Sequence, residues 1–104
     1  MDRGAVLDTV SRFRRALEAR GIRVERIVLF GSHATGGARE GSDIDVVVVS
    51  EDFAGSSYWE RLEILSDAIY DVFEPIEALA MTSEEWEEGA SPVVEYARMG
   101  QVIE

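Results

Sequence analysis

The chain has 104 residues, of which 46% are apolar, and a formal net charge of -11. This length fills one hydrophobic core, so we expect a single domain over residues 1–104. The sequence has no cysteine, no lysine and one histidine, which excludes disulfides, thiolate zinc sites, a cysteine nucleophile, the H-E-x-x-H zinc site and the lysine-dependent phosphate loop.

Charge is distributed unevenly along the chain. Residues 1–42 carry eight arginines against five acidic residues, whereas residues 43–104 carry two arginines against sixteen acidic residues. The acidic half repels phosphate backbones, so we expect a metal ion or a basic partner rather than direct nucleic-acid binding. No apolar stretch is long enough to span a bilayer and no secretion signal opens the chain, so we expect a soluble cytoplasmic protein without a membrane partner.

The first predicted elements are a helix and a strand. Apolar residues recur at helical spacing until a glycine interrupts them, which predicts a helix over roughly residues 3–20. A short apolar run predicts a strand over residues 24–30. Residues 31–42 contain four glycines, so we expect a loop with one helical turn near Ser32.

The middle of the chain predicts a strand, a helix and a strand. Four consecutive valines indicate that the strand Ile44–Val49 is buried on both faces. An amphipathic helix begins at Tyr58 and ends before Pro75. The following apolar residues, Ile76–Met81, predict a third strand.

The last quarter of the sequence contains two further helix signals. A start signal before Glu84 and Glu85 predicts a short acidic turn through Trp86. Pro92 begins a last helix, Gly100 ends it, and the final residues form a short strand or a tail. This order of elements predicts an α/β (α+β) fold, with a small mixed β-sheet flanked by helices.

Two aspartates stand at the head of the valine-rich strand. Asp43 and Asp45 point to the same face of the strand, about 7 Å apart along the chain. Two such oxygen ligands suit Mg²⁺, which takes one or two carboxylates and completes its shell with water and substrate phosphate oxygens. The alternative is that both are solvated residues at a strand start.

Glu77 is the candidate third carboxylate. It lies in the apolar strand Ile76–Met81, and glutamate is rarely buried there without a partner. If this strand pairs beside the valine-rich strand, Glu77 joins the two aspartates. The alternative is an edge strand whose polar face is in water.

The turn at Gly31 and Ser32 supplies the complementary half of a site. Glycine lets the main chain approach a ligand closely, and a turn with exposed amides can hold phosphate oxygens. Arg39 either neutralises phosphate from the same loop or keeps the loop soluble. We interpret His33 as a surface loop residue that nothing orients.

These motifs resemble the nucleotidyltransferase superfamily of DNA polymerase β type. The pattern is Gly31-Ser32, ten residues, and then Asp43-Ile44-Asp45, and it is most similar to the minimal nucleotidyltransferases that are often paired with HEPN-domain toxins. Arg39 and Ser42 also fit the usual loop of this branch.

The resemblance implies the nucleotidyltransferase fold and the transfer of a nucleoside monophosphate, AMP from ATP, to a hydroxyl acceptor. Asp43, Asp45 and Glu77 would bind Mg²⁺ and carry catalysis, as the two-metal scheme requires. Gly31 and Ser32 would seat the β- and γ-phosphates, with Arg39 and Ser42 beside them.

Two departures from the family pattern bear on activity. The third carboxylate is normally aspartate, and the extra methylene of glutamate displaces the carboxylate by about 1 Å, enough to cost roughly a hundredfold in rate. Loop positions that are often basic in the branch are His33 and Thr35 here.

Three functions therefore stay open. The first is an antitoxin that adenylylates a HEPN toxin, since a chain this short has no room for a separate recognition domain. The second is a non-catalytic antitoxin that neutralises its partner by contact through the acidic half. The third is a nucleotidyltransferase acting on a small molecule such as an aminoglycoside, and the oligomeric state is open in all three.

Overall fold

A computed structural model describes residues 2–37, 41–89 and 91–103 of the chain. A short 3-10 turn follows the second strand at Glu51–Phe53. The helices and strands, in chain order, are α1 (Arg3–Ala19), β1 (Arg26–Phe30), α2 (Ser32–Thr35), β2 (Ile44–Val49), α3 (Tyr58–Val72), β3 (Ile76–Met81), α4 (Ser83–Glu88), α5 (Pro92–Ala97) and β4 (Gln101–Ile103).

The four strands form one mixed sheet in the order β3-β2-β1-β4. β1 runs antiparallel to both β2 and β4, whereas β2 and β3 are parallel. Parallel neighbours need a long crossover connection, and α3 provides it. The predicted mixed sheet with flanking helices is therefore confirmed, and the final residues form a strand rather than a tail.

The first face of the sheet is closed by α1 and α3. Val46 and Val48 of β2 point to this face and are fully buried against Phe13 of α1 and Leu65 of α3. These side chains belong to the larger of the two hydrophobic clusters among the described residues.

The second face is closed by α4 and α5. Val47 and Val49 point to this face and pack with Trp86 and Val94. Because side chains alternate along a strand, Asp45 must point to the same face as these valines. The two short helices leave Asp45 half-buried rather than covered.

The helix ends follow from local side-chain chemistry. α3 and α4 each begin with a capping box, formed by Ser57 with Glu60 and by Thr82 with Glu85. α3 ends where Phe73 adopts a left-handed conformation, with a φ of 58°. Within the described residues, no helix has the length and apolar character to cross a membrane.

Candidate active site

The end of β1 touches the start of β2 at Gly31. Phe30 lies opposite Asp45 in the antiparallel register, so the next residue, Gly31, turns over the Asp45 side chain. A Cβ placed on Gly31 would lie 3.4 Å from Asp45 Cβ and would overlap Asp45 Oδ2. Gly31 also has φ 72° and ψ -153°, a conformation that is essentially restricted to glycine. The glycine is therefore required twice, by its backbone conformation and by the carboxylate beneath it.

Glu77 lies beside Asp45 across the parallel pair of strands. The register places Asp45 opposite Glu77, and residues that are opposite in a sheet point to the same face. β3 is an edge strand, and Glu77 is exposed to solvent. The two interpretations of Glu77 from the sequence, an exposed edge residue and a neighbour of the aspartate, are therefore compatible.

The two carboxyl groups are coupled. The pKa of Asp45 is raised from 3.8 to about 6, first because burial disfavours its charged form. A hydrogen bond with Glu77 and the negative charges of Glu77 and Asp43 raise the pKa of Asp45 further, whereas His33 lowers it. A hydrogen bond between two carboxyl groups requires a proton on one of them. The site thus concentrates negative charge that a proton, or a cation, can relieve.

The donor set bears on whether Mg²⁺ could bind. Within residues 2–37, 41–89 and 91–103, no group of three or more histidine, cysteine, aspartate or glutamate side chains is arranged to hold a metal ion. Mg²⁺ needs only one or two protein carboxylates when water and substrate phosphates complete its shell. Asp45 and Glu77, with Asp43 near enough to repel Asp45, therefore fit the ion together with a bound triphosphate.

The described residues include some, but not all, of the predicted loop residues of the site. Ser32 begins α2 directly after Gly31, and its side chain is half-buried. Ser42 is also half-buried, and its carbonyl oxygen lies 3.1 Å from His33 Nε2. The expectation that nothing orients His33 is therefore wrong. Arg39 lies outside the described residues.

An aromatic pair beside the site was not predicted from the sequence. The ring of Tyr96, on α5, meets Phe30 edge-to-face at 5.8 Å between centroids. Phe30 is the residue opposite Asp45, so α5 borders the site. No sequence signal joins residues 66 positions apart, and only the packing of α5 on β1 brings them together.

Comparison with family models identifies the family of this chain. Residues 10–97 match the family model of the nucleotidyltransferase domain. The chain belongs to this family. The matched range contains the Gly31 turn, both aspartates and Glu77, so every described candidate site residue falls inside the nucleotidyltransferase domain.

Solved structures share the fold of this nucleotidyltransferase domain. A candidate nucleotidyltransferase from Sulfolobus solfataricus superposes with a TM-score of 0.68 at 18% identity, over 83% of this chain and 75% of that one. A second candidate nucleotidyltransferase gives 0.60 at 23% identity, over 97% and 99% of the two chains. A chain of a toxin–antitoxin structure with AMP-PNP gives 0.59 at 20% identity, over 93% and 69%. At these identities the likeness shows the fold. No curated protein matches the chain.

Proposed function

We propose that this chain is a Mg²⁺-dependent nucleotidyltransferase that transfers AMP from ATP to a hydroxyl group of a partner protein. One observation carries the proposal: the strand register sets Gly31 against Asp45 and Asp45 opposite Glu77. A close main-chain approach for phosphate thus adjoins a carboxylate pair for a cation. Neither feature is needed to close the hydrophobic core.

Each residue has a stated role in this proposal. Gly31 lets the main chain lie directly against Asp45, so that the turn can present its amides to the triphosphate, and Ser32 seats the β- and γ-phosphates with it. Arg39 and Ser42 complete the nucleotide-binding residues. Mg²⁺, held by Asp43, Asp45 and Glu77, would neutralise the triphosphate and stabilise the charge that develops during transfer.

The transfer itself is a displacement at the α-phosphorus. The acceptor hydroxyl oxygen forms the new bond to this phosphorus, and the bond from the phosphorus to the oxygen that bridges to the β-phosphate breaks. Pyrophosphate leaves, and the hydroxyl proton passes to Glu77, which is exposed and can reach an incoming acceptor. The products are the AMP ester of the acceptor and pyrophosphate.

The acceptor that we propose is a HEPN-type toxin, with this chain as its antitoxin. The resemblance to the minimal nucleotidyltransferases supports this choice, and so does the shared fold with a toxin–antitoxin structure with AMP-PNP. The net charge of -11 favours a basic partner.

The test is to co-express the chain with the protein encoded beside it and to measure the partner's intact mass after addition of ATP and Mg²⁺. We expect an increase equal to one or more AMP groups. Asp45→Asn should abolish it, and Glu77→Gln should slow it about a hundredfold, the size of effect expected when a general base is lost. Asp67→Asn, at an exposed aspartate on α3, is the matched control and should leave the rate unchanged.

The second candidate is an antitoxin that works by contact alone. Two observations favour it: the third carboxylate is a glutamate on an exposed edge strand, and the described residues hold no ready three-ligand metal group. A partner that is inhibited but keeps its mass would establish this function and overturn the first. A partner that is neither modified nor inhibited would overturn both.

A further inference from the structure

One edge of the sheet is open beside the candidate site. β3 has a neighbour on one side only. The Pro75 carbonyl accepts a hydrogen bond of 2.9 Å from the amide of Ile44, at the start of β2. The Met81 carbonyl accepts one of 2.9 Å from the amide of Ser50, the residue after β2. Because main-chain groups of alternate residues point to the same side of a strand, Ala78 and Ala80 must direct theirs away from β2.

The outer edge has little bonding of its own. Arg61 Nη1 donates to the Ala80 carbonyl at 3.3 Å and to Glu85 at 2.7 Å. No other group in the described part of the chain bonds the outward main-chain groups of Ala78 or Ala80. An edge strand with unpaired amides and carbonyls is a template for another strand, unless a protein protects it. β3 carries one charged residue and no proline, so it has little such protection.

A groove of about 380 Å³ runs between this edge and α3. Its wall on α3 includes Tyr58, Leu62 and Leu65, and its floor includes Ala78 and Met81. Two of these side chains are unusually open for apolar residues, Tyr58 at 65% and Leu62 at 37% exposed. We call this depression, with the outer side of β3, the β3 edge groove.

The surroundings of the β3 edge groove are acidic. Glu85 lines it, and Glu88 lines an adjoining hollow that shares Arg61 and Met81 with it. Glu77 is exposed on the same strand, β3, and points to the opposite face. Arg61 pairs with Glu85 and offsets its charge, so Glu77 and Glu88 supply the remaining negative charge. A second copy of the chain would bring another net charge of -11 to the edge, which opposes pairing between two copies.

We propose that the β3 edge groove binds an extended segment of the acceptor polypeptide, which adds to the sheet as a fifth strand beside β3. Main-chain pairing supplies the attraction, as in other cases of strand addition. Side chains on the α3 side of the added strand are apolar and enter the groove. Those on the opposite side are basic and face Glu77 and Glu88. This inference rests on the proposed function, because it names how that reaction receives its acceptor.

The register gives the docked strand a catalytic consequence. A residue directly opposite Glu77 in the added strand would point to the same face, with its Cβ about 5 Å from that of Glu77. A serine, threonine or tyrosine there would carry its hydroxyl to the carboxylates. The acceptor position is thus set by strand register.

A designed peptide tests the inference with the full chain. The probe has twelve residues in which valine alternates with arginine, and one central arginine is replaced by serine. Binding is measured by fluorescence anisotropy at 0.15 M salt, and amide hydrogen exchange is followed residue by residue. We expect saturable binding and at least tenfold slower exchange at the amides of Ala78 and Ala80 in the complex.

Two variants separate pairing from general charge attraction. Ala78→Pro removes an outward amide and leaves the β2 ladder intact, since proline is tolerated where the amide of an edge strand faces solvent. Leu62→Arg fills the groove with a charge. Each should weaken binding at least tenfold. The matched control is Tyr70→Arg, an exposed position of α3 outside the groove, which should change binding less than twofold.

Three results would overturn the inference. They are no saturable binding, binding without protection of Ala78 and Ala80, and equal weakening by Leu62→Arg and Tyr70→Arg. A dimer that forms without peptide and dissociates on Ala78→Pro would assign the edge to a second copy instead. Peptide binding needs neither ATP nor Mg²⁺, so failure here leaves AMP transfer intact. Loss of AMP transfer with peptide binding retained would count against the proposed function alone.

Discussion

The two faces of the sheet differ in what covers them. On the first face, two long helices close over Val46 and Val48, which are fully buried in the larger apolar cluster. On the second face, two six-residue helices close over Val47 and Val49 but leave Asp45 half-buried. Neighbouring residues of one strand therefore belong to two different environments.

This difference separates stability from chemistry. A fully covered apolar face supplies the burial on which folding depends, at roughly 25 cal/mol per Å² of apolar surface. A face that is open at one end can hold coupled carboxylates, because water and cations reach them. Removal of a buried apolar side chain from the first face should therefore lower stability, whereas removal of the Asp45 charge from the second face should raise it.

The largest effect is expected in the core of the first face. Phe13→Ala removes a fully buried ring and leaves a cavity, so it should lower the free energy of unfolding by about 3–5 kcal/mol. Urea denaturation measures this loss. Tyr70→Ala, at a position that is 77% exposed, is the control and should cost less than about 0.5 kcal/mol. Equal losses would mean that the first face does not carry the main core.

An intermediate effect is expected at the turn on the second face. Gly31→Ala places alanine in a conformation that it avoids and makes its Cβ overlap Asp45. It should lower the free energy of unfolding by about 2–3 kcal/mol, and it should also abolish nucleotide binding. Gly36→Ala is the matched control: its φ is also positive, at 83°, but a Cβ there has no neighbour within 4 Å. It should cost only about 1 kcal/mol. The difference between the two losses measures the stricter backbone conformation of Gly31 together with its contact with Asp45, and identical losses would exclude both.

The smallest effect is a gain in stability, at Asp45. Its pKa is raised to about 6 in the folded protein, so the folded state holds this proton more strongly than the unfolded state. The stabilisation that results is present below the unfolded value of 3.8 and is lost as pH rises through about 6. The shift corresponds to about 3 kcal/mol, which solvent screening at a partly exposed carboxylate reduces to about 1 kcal/mol.

Asp45→Asn should therefore stabilise the metal-free protein by about 1 kcal/mol at pH 7 and by almost nothing at pH 4, while it abolishes AMP transfer. Urea denaturation at both pH values, with EDTA present, gives the comparison. Asp67→Asn should change stability by less than about 0.5 kcal/mol at either pH. A destabilising Asp45→Asn would show that the site face contributes to folding in the same way as the core.

Much of the fold could be predicted from the sequence because local signals agree with the final structure. Helical spacing and its end signals located α1 and α3, and the four valines located β2 with both faces buried. β1 is two residues shorter than predicted, since Val24 is buried but does not join the ladder. For the last residues the sequence predicts either a strand or a tail, because three residues contain too little pattern to decide.

The candidate site was predicted less completely. Gly31, Asp43, Asp45 and Glu77 stood out in the sequence because glycine turns and charges within apolar strands are conspicuous there. The contribution of His33 to the electrostatics of Asp45 and the place of Tyr96 beside Phe30 were not predicted. Both depend on contacts between segments that carry no local sequence signal.

The sequence by itself determined the elements, the family pattern and the identity of the acidic residues, since these depend on periodicity, spacing and side-chain type. The tertiary structure decided which carboxylates meet. The parallel register of β2 and β3 pairs Asp45 with Glu77, and the order of the strands leaves β3 at an open edge. A one-residue shift in register would have turned Glu77 to the other face, because side chains alternate along a strand. Register is a property of the packed sheet, and that is the physical reason why the sequence alone could not fix it.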